Sequence, residues 1–370
     1  MKLKEITDIL EEWAPKEIAW ERDNVGLQVG STDISAKNIL LSLDLTDQVI
    51  DEALSKNCNL IITHHPLLFS PLKKIDIRND RIAALSARLI KNDITLYSAH
   101  TNLDFTKGGV SFRLAEKLGL QKIDFLHNIK ANQYKFTVFI PEENAEKIAE
   151  VIFNAGGGII GNYNKCSFTS KGKGTFLGSG ITKPAKGKPE EFVSVHEVKL
   201  EILTDKWKIG KILKSLSQIH PYEEIAYDLI PLYNPNVNYG YGAIGELEKS
   251  KSPEEFLDYI SLKLGIKSFR YSEPPAKKIK IVSVCGGAGT DHLRDALSKK
   301  CDAFITGDLK YHTFQEAEGK ILLIDAGHYE TEIFSLEEIQ NRLNKEIPQN
   351  YDIKVFRYSG STNPVIFYNN

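Results

Sequence analysis

Cysteine is scarce in this chain. Only four of the 370 residues are cysteines, and they are too scattered to form a C-x-x-C pair. This excludes a disulfide-stabilised secreted scaffold and argues against a structural zinc knot, because both need closely spaced cysteines. Free thiols are typical of a reducing compartment, so we expect a cytoplasmic protein. The cysteines that we expect to be unpaired are Cys58, Cys166, Cys285 and Cys301.

Long apolar runs and an excess of positive charge are missing too. No stretch approaches the length of a membrane-spanning helix, and residues 1–5 open an amphipathic helix and not a signal peptide. The 47 basic residues are balanced by 49 acidic ones, and the net charge is -2 at pH 7. Because nucleic-acid-binding chains neutralise phosphates with basic tracts, we expect neither a membrane partner nor a nucleic-acid partner.

Strands and helices alternate in the two outer parts of the chain, and this pattern predicts an α/β fold with mostly parallel sheets. A helix is expected to follow most of these strands, the last of them a single long helix over residues 331–343. The predicted strands of this kind are residues 39–44, 59–63, 94–98, 280–285, 303–306 and 321–326. We assign residues 1–130 and 233–370 to this α/β domain.

The middle of the chain has a different order of elements. Residues 131–232 read as βαββαβ, which is the ferredoxin-like arrangement. A segment rich in Asn and Pro, residues 234–238, is predicted to be the exit linker. The fold class is therefore α/β with an inserted ferredoxin-like domain.

Two adjacent histidines end a buried strand. The apolar run at residues 60–63 stops at His64, His65 and Pro66, because proline cannot donate to a strand ladder. Ligands bind at this end of the strands in an α/β sheet. If the two histidines stay extended, their side chains diverge, which suits two metal ions better than one. The alternative is a polar loop after a core strand.

Three more ligand-type residues follow other predicted strands. Asp104 and His328 come after strand ends, and Glu332 shares a helical face with His328 four residues earlier. Alone, each has an ordinary interpretation as a turn, loop or helix-start residue. Together with His64 and His65 they can hold two ions about 3.5–4 Å apart, with open positions for water. Mixed His and carboxylate donors suit zinc, manganese, iron or cobalt.

Other motifs near these strand ends have weaker interpretations. His100, Asp308 and His312 are candidates for acid/base chemistry or for orienting the ligands. The glycine-rich residues 285–290 could cradle a phosphate, let a substrate approach the backbone, or simply form a tight turn. Residues 220–224, His-Pro-Tyr-Glu-Glu, are predicted to form a turn that ends a helix.

Five motifs taken together resemble the Nif-three-like family, whose members often carry the name GTP cyclohydrolase type 2 homologue. The motifs are residues 23–30, 62–66, 100–104, 306–308 and 327–332, and they occur in the family's order. The resemblance implies a two-lobed α/β domain and a dinuclear site. The ligands that it implies are His64, His65, Asp104, His328 and Glu332.

The resemblance also implies an assembly and a type of insert. It implies a toroidal homohexamer in which the metal sites face an internal cavity. Longer bacterial members carry an insert similar to PII-like signalling and cation-tolerance domains, and residues 131–232 match its order of elements.

Three functions compete at this point. The first is a metal-dependent hydrolase that attacks a purine ring carbon, as in GTP ring opening, or a phosphoester; its ligand is a nucleotide or another small molecule. The second is a metal carrier or insertase. The third is a regulatory binder whose insert senses a small ligand.

Overall fold

The computed structural model describes residues 1–368, and the chain forms two compact units. The first unit comprises Met1–His127 together with the chain from Tyr239 onward, and the second comprises Asn128–Asn238. The domain boundaries predicted from the sequence, residues 131 and 232, lie within the second unit. No helix among residues 1–368 is both long enough and apolar enough to span a bilayer.

Fifteen strands and twelve α-helices occur within residues 1–368. The strands are β1 Gly26–Val29, β2 Asn38–Ser42, β3 Cys58–Thr63, β4 Thr95–Ser98, β5 Gln121–Lys130, β6 Gln133–Pro141, β7 Phe168–Leu177, β8 Phe192–Asp205, β9 Tyr227–Leu232, β10 Pro235–Lys251, β11 Arg270–Tyr271, β12 Ile279–Ala288, β13 Ala303–Gly307, β14 Leu322–Asp325 and β15 Val355–Arg357. The helices are α1 Leu3–Trp13, α2 Asp47–Ser55, α3 Arg81–Lys91, α4 Thr101–Asp104, α5 Val110–Lys117, α6 Ala145–Asn154, α7 Ile209–Ser217, α8 Pro253–Leu264, α9 Leu293–Ser298, α10 Tyr311–Ala317, α11 His328–Glu332 and α12 Ser335–Glu346.

The first unit contains one mostly parallel sheet and one mixed sheet, in which β10 and β11 run antiparallel to β12 and β14, and this confirms the α/β class. One has the order β1-β4-β3-β2-β15, in which only β1 runs antiparallel to its neighbour. The other has the order β11-β14-β13-β12-β10-β5, with β12, β13 and β14 parallel. Parallel strands place their carboxyl ends at the same sheet edge, so the residues that follow β2, β3 and β4 are neighbours in space.

The strands of the first sheet are apolar on both faces because each face is covered. Ile39 and Leu41 of β2 belong to one buried cluster, while Leu40 belongs to the cluster on the opposite face. All six residues of β3 are buried. Such continuous apolar runs are what a doubly covered parallel sheet requires. Helix α2 begins where the Thr46 hydroxyl accepts a hydrogen bond from the Val49 amide, at 3.2 Å.

Two predicted segments differ from the structure. The helix predicted over residues 331–343 is two helices, α11 and α12. Between them the amides of Leu336 and Glu337 bond to carbonyls three residues back, which tightens the chain. The predicted exit linker is instead the start of β10. Its Asn236 is fully buried and its side-chain amide bonds to Asn132 and Asp205, so these polar side chains are satisfied inside the protein.

The second unit has the element order β6, α6, β7, β8, α7, β9. Its sheet order is β7-β8-β6-β9, and every neighbouring pair is antiparallel. Helices α6 and α7 pack against the sheet through Ile148, Ile152, Ile212 and Leu216. The assignment of this unit as a ferredoxin-like, PII-like domain remains a prediction.

We expect the first unit to fold without residues 131–232 if a short Gly/Ser linker joins the flanks. The two flanking strands, β5 and β10, are neighbours in one sheet. The Asn128 side-chain amide donates to the Asn236 carbonyl at 2.9 Å, so the two flanks run close together beside the deleted residues and a short linker can join them. Circular dichroism and metal content of the deletion variant test this. An insoluble or metal-free product would contradict an independent insert.

Candidate metal centre

Three chain segments bring the five predicted donors together. His64 and His65 follow β3 directly, and Asp104 ends α4, which follows β4. His328 and Glu332 are the first and last residues of α11, which follows β14 of the other sheet. Their spacing of four residues puts both on one helical face, with His328 Nε2 3.1 Å from Glu332 Oε1.

Glu332 lies at the middle of the cluster. Its carboxylate oxygens are 3.6 Å from His64 Nε2, 3.0 Å from His65 Nε2 and 3.1 Å from His328 Nε2. The Nε2 atoms of His65 and His328 are 3.2 Å apart. Asp104 is at the edge, where its Oδ1 lies 3.6 Å from His64 Nε2. The structure therefore brings all five side chains into one cluster, in which Asp104 is close to His64.

Each of the three histidines is held by its outer ring nitrogen. The acceptors for Nδ1 are the Ala99 carbonyl for His64 at 2.8 Å, the Asp44 carboxylate for His65 at 2.8 Å and the Asp308 carboxylate for His328 at 2.7 Å. A carbonyl oxygen can only accept, so His64 Nδ1 donates and its Nε2 faces the cluster. This arrangement, Nδ1 held and Nε2 inward, is how histidines that bind metals are oriented.

Three polar atoms within the cluster are buried and have no hydrogen-bond partner. They are His64 Nε2, Asp104 Oδ1 and Glu332 Oε2, and the side chains of His64 and Glu332 are 0% and 3% exposed. Although Glu332 Oε2 lies 3.0 Å from His65 Nε2, that contact lacks the angle of a hydrogen bond. A buried unsatisfied group costs about 1–3 kcal/mol. A metal ion satisfies such inward-facing lone pairs, so these residues fit metal binding.

The electrostatics of the protein residues favour a cation. Burial alone lowers the pKa of His65, but the close contacts with Asp44 and Glu332 and their charges outweigh burial and raise it to about 10. Burial lowers the pKa of His328 too, yet contacts with Glu332 and Asp308 raise it to about 9. Burial opposes ionisation of Glu332, but the nearby histidines hold its pKa well below the usual range. The cluster therefore attracts protons or metal ions.

His100 lies beside the cluster and is oriented by a buried carboxylate. Its Nδ1 is 2.9 Å from Asp23, which also accepts hydrogen bonds from the amide and hydroxyl of Thr101. Burial raises the pKa of Asp23, but these hydrogen bonds outweigh it and lower the pKa to about 2. One ring nitrogen of His100 lies within 4.8 Å of nitrogens of His64 and His65, so His100 can reach a bound metal or a substrate.

Of the other two acid/base or ligand-orienting candidates, Asp308 and His312, only one lies at the cluster. Asp308 adopts φ 56° at the end of β13 and holds His328 Nδ1. His312 is directed elsewhere, because its Nδ1 bonds to Gln315 on its own helix at 2.9 Å. Asp308 is thus brought to the cluster, and His312 is not.

Sequence analysis missed Asp44, which holds His65. A signal was present: Asp44 follows the end of β2, and β2 neighbours β3 in the same parallel sheet. Its second oxygen accepts a hydrogen bond from the Thr362 hydroxyl at 2.9 Å, 318 residues later. No local pattern reveals that contact, because it depends on the path of the C-terminal segment.

The glycine-rich segment lets the backbone pass close to the cluster. A Cβ built on Gly287 would lie 2.2 Å from Glu332 Oε1 and 3.2 Å from His328 Nε2, and its φ is +63°. The Gly287 amide donates to the Thr331 hydroxyl at 2.9 Å, and the Thr306 hydroxyl donates to the Gly287 carbonyl at 2.8 Å. The structure therefore shows that the backbone at Gly287 passes close to Glu332 and His328.

We expect Gly287→Ala to weaken metal binding at least about tenfold, the lower range for disturbed ligand orientation. The added methyl group meets Glu332 Oε1, so that carboxylate must shift relative to the three histidines that it contacts. Gly265→Ala is the matched control, because Gly265 has a similar φ of +70° but a Cβ there meets nothing within 4 Å. Metal titration of both variants measures the difference. Equal affinities would show that the clash at Gly287 is harmless.

A cavity of about 660 Å³ opens beside the cluster. His65 and His328 line it, so a molecule inside lies against two of the five proposed donors. Its walls include Phe269, Tyr329 and Arg270. The guanidinium of Arg270 is held by an ion pair with Asp325, and the side chain stays 63% exposed. The cavity thus combines apolar walls with one guanidinium and with four carboxylates, those of Asp44, Asp308, Asp325 and Glu330.

Comparisons with known proteins agree with the motifs. The model of the family described as Duf34/NIF3 (NGG1p interacting factor 3) matches residues 1–364. Proteins called "GTP cyclohydrolase 1 type 2 homolog" are 36% identical in Halalkalibacterium halodurans and 34% identical in Bacillus subtilis, each over 367 residues and 98% of both chains.

Solved structures show the same fold. A Bacillus cereus protein related to NIF3 matches with a TM-score of 0.87 at 34% identity, covering 100% of this chain and 99% of that one. A Staphylococcus aureus protein matches with a TM-score of 0.77 at 29% identity over 100% and 99% of the two chains. The family predicted from the five motifs is confirmed. The chain belongs to the Duf34/NIF3 family.

Proposed function

We propose that this protein is a metal-dependent hydrolase with two divalent ions held by His64, His65, Asp104, His328 and Glu332. The observation that carries the proposal is the set of buried, unsatisfied donor atoms in one cluster, with each histidine fixed from outside. Three nitrogens and two carboxylates suit zinc, iron, manganese or cobalt. Such ions supply Lewis acidity and a nucleophilic water at neutral pH.

The protein residues have defined roles around that chemistry. Ala99, Asp44 and Asp308 orient the three imidazoles, so the ligand geometry is preorganised. Asp23 holds His100 by Nδ1, which leaves Nε2 as the nitrogen that can accept a proton from the attacking water or donate one to a leaving group.

The aromatic walls and Arg270 of the cavity beside the cluster support a substrate with a flat apolar part and one phosphate that pairs with Arg270, although four carboxylates also line the cavity. Arg270 can pair with a phosphate, since only one of its terminal nitrogens bonds to Leu309 and Asp325. Phe269 and Tyr329 offer walls on which a ring can stack. A nucleotide or an aryl phosphoester has these properties. The names of the relatives, which refer to GTP cyclohydrolase, point to the nucleotide.

The test is a metal-loaded activity screen. Protein loaded separately with zinc, iron, manganese or cobalt should open the purine ring of GTP or cleave an aryl phosphodiester, and Glu332→Gln should lose that activity. A protein that binds ions at this cluster and exchanges them quickly, with no turnover of either substrate, would contradict the hydrolase and identify a metal carrier.

We expect Asp104→Ala to lower the occupancy of both ions together, because each Asp104 oxygen can bind one ion. Metal analysis should fall from about two equivalents to below one. The matched control is Asp258→Ala, which removes an exposed carboxylate on α8. If one metal site stayed fully occupied, Asp104 would not be shared by the two ions. The shared carboxylate would then be Glu332, which contacts all three histidines.

The proposal includes the assembly implied by the family. We propose a toroidal homohexamer whose cavity contains the metal sites and admits a small-molecule substrate. Light scattering should then give six times the chain mass of 41.6 kDa. A monomer at micromolar concentration would contradict the hexamer but would leave the proposal for the metal site unaffected.

A further inference from the structure

A second cavity, of about 310 Å³, lies within the unit Asn128–Asn238. Aromatic and acidic side chains line it, and no Lys, Arg or His is among the described lining residues. The side chains that matter are Phe139, Phe176, Tyr222, Glu197, Glu223 and Glu224. The cavity therefore has apolar walls and a strongly negative lining.

The segment predicted as a helix-ending turn builds one wall of this cavity. His220 is only 9% exposed, and its Nε2 donates to the Phe139 carbonyl on β6 at 3.2 Å. Its Nδ1 accepts a hydrogen bond from the Tyr222 amide at 3.2 Å. Both ring nitrogens thus fix the turn against the sheet. This places Tyr222 in the wall, followed by Glu223 and Glu224.

Glu197 occupies space that only a glycine leaves open. A Cβ on Gly174 of β7 would lie 2.0 Å from Glu197 Oε2. Glu197 Oε1 accepts a hydrogen bond from the Tyr222 hydroxyl at 2.8 Å. Among the residues that the structure describes, none donates a hydrogen bond to Oε2. The carboxylate is therefore anchored by one oxygen and has the other free for a ligand.

We propose that this cavity binds an organic cation, a protonated amine attached to a flat apolar body. The ammonium group pairs with Glu197 and is attracted by the nearby carboxylates of Glu223 and Glu224. The rings of Phe176 and Tyr222 add cation–π attraction. The volume is at the lower end for small-molecule pockets. An inorganic ion fits less well, because within residues 1–368 the ligand clusters dense enough for a metal all include His65.

Calorimetric titration of the full-length protein with tryptamine tests the proposal, with the neutral isostere tryptophol as the comparison ligand. We expect one tryptamine per chain and at least tenfold weaker binding of tryptophol. Glu197→Gln should weaken tryptamine binding at least tenfold. Glu201→Gln, on the same strand but outside the lining, should not change it. Chelating the metals should also leave tryptamine affinity unchanged.

Glu224→Gln keeps the test decisive if Glu197→Gln fails to fold. Glu224 is exposed at the rim, so its substitution preserves the fold, and we expect about threefold weaker tryptamine binding. Failure of tryptamine to bind at millimolar concentration would overturn the proposal. Equal affinity for tryptophol, or unchanged affinity in both glutamate variants, would overturn it too, because recognition would then not depend on the carboxylates.

Discussion

Glu332→Gln is expected to release at least one metal ion and to reduce any hydrolytic activity at least about tenfold, while the protein stays folded. Glu332 is the carboxylate that contacts His64, His65 and His328, and it is ionised because those histidines depress its pKa. Glutamine keeps the size but removes the charge that attracts the ions. The adjacent helix α12 is held by its own apolar contacts through Leu336 and Ile339.

Glu337→Gln is the matched control for this variant. Glu337 is an acidic residue on α12, 59% exposed, whose closest cation is Arg357 at 4.0 Å. Circular dichroism, metal content and activity should be measured on one sample of each variant. Unfolding of Glu332→Gln would indicate a structural metal, contrary to our account. Two retained ions and full activity would remove Glu332 from the ligand set.

Removing the metal ions should lower the melting temperature by roughly 8 °C or more, without unfolding the protein at room temperature. An ion present at 1,000 times its dissociation constant stabilises the folded state by about 4 kcal/mol, and each kcal/mol shifts a domain of this size by roughly 2–4 °C. The fold should survive because apolar clusters hold both sheets independently of the site.

The chelation experiment has an internal control. Asp104→Ala should melt at nearly the same temperature with and without added metal, because Asp104 is one of the donors whose buried oxygen lacks a partner. Scanning calorimetry with and without a chelator measures both proteins. An unchanged melting temperature for the wild-type chain would mean that no ion binds the folded state tightly.

Much of the site could be predicted because its donors follow strand ends. In a parallel sheet, residues after neighbouring strands must meet, so His64, His65 and Asp104 converge for a reason that the strand pattern already contains. The i, i+4 spacing of His328 and Glu332 survives although the predicted long helix breaks after them. The spacing of the two residues within one helical turn was enough to predict that they share a face.

Other features depend on contacts between distant parts of the chain. The role of Gly287 was ambiguous because its neighbour, the Glu332 carboxylate, comes from another segment. Asn236 reads as a linker residue, yet burial against Asn132 and Asp205 makes it part of a strand. Polar residues look like loop residues until their hydrogen-bond partners are known.

The most direct test is a crystal structure of the metal-loaded protein with anomalous diffraction recorded at the metal's absorption edge. Our account predicts two peaks per chain, about 3.5–4 Å apart, surrounded by His64, His65, Asp104, His328 and Glu332. A single peak, or peaks only at other residues, would contradict a dinuclear centre at this cluster.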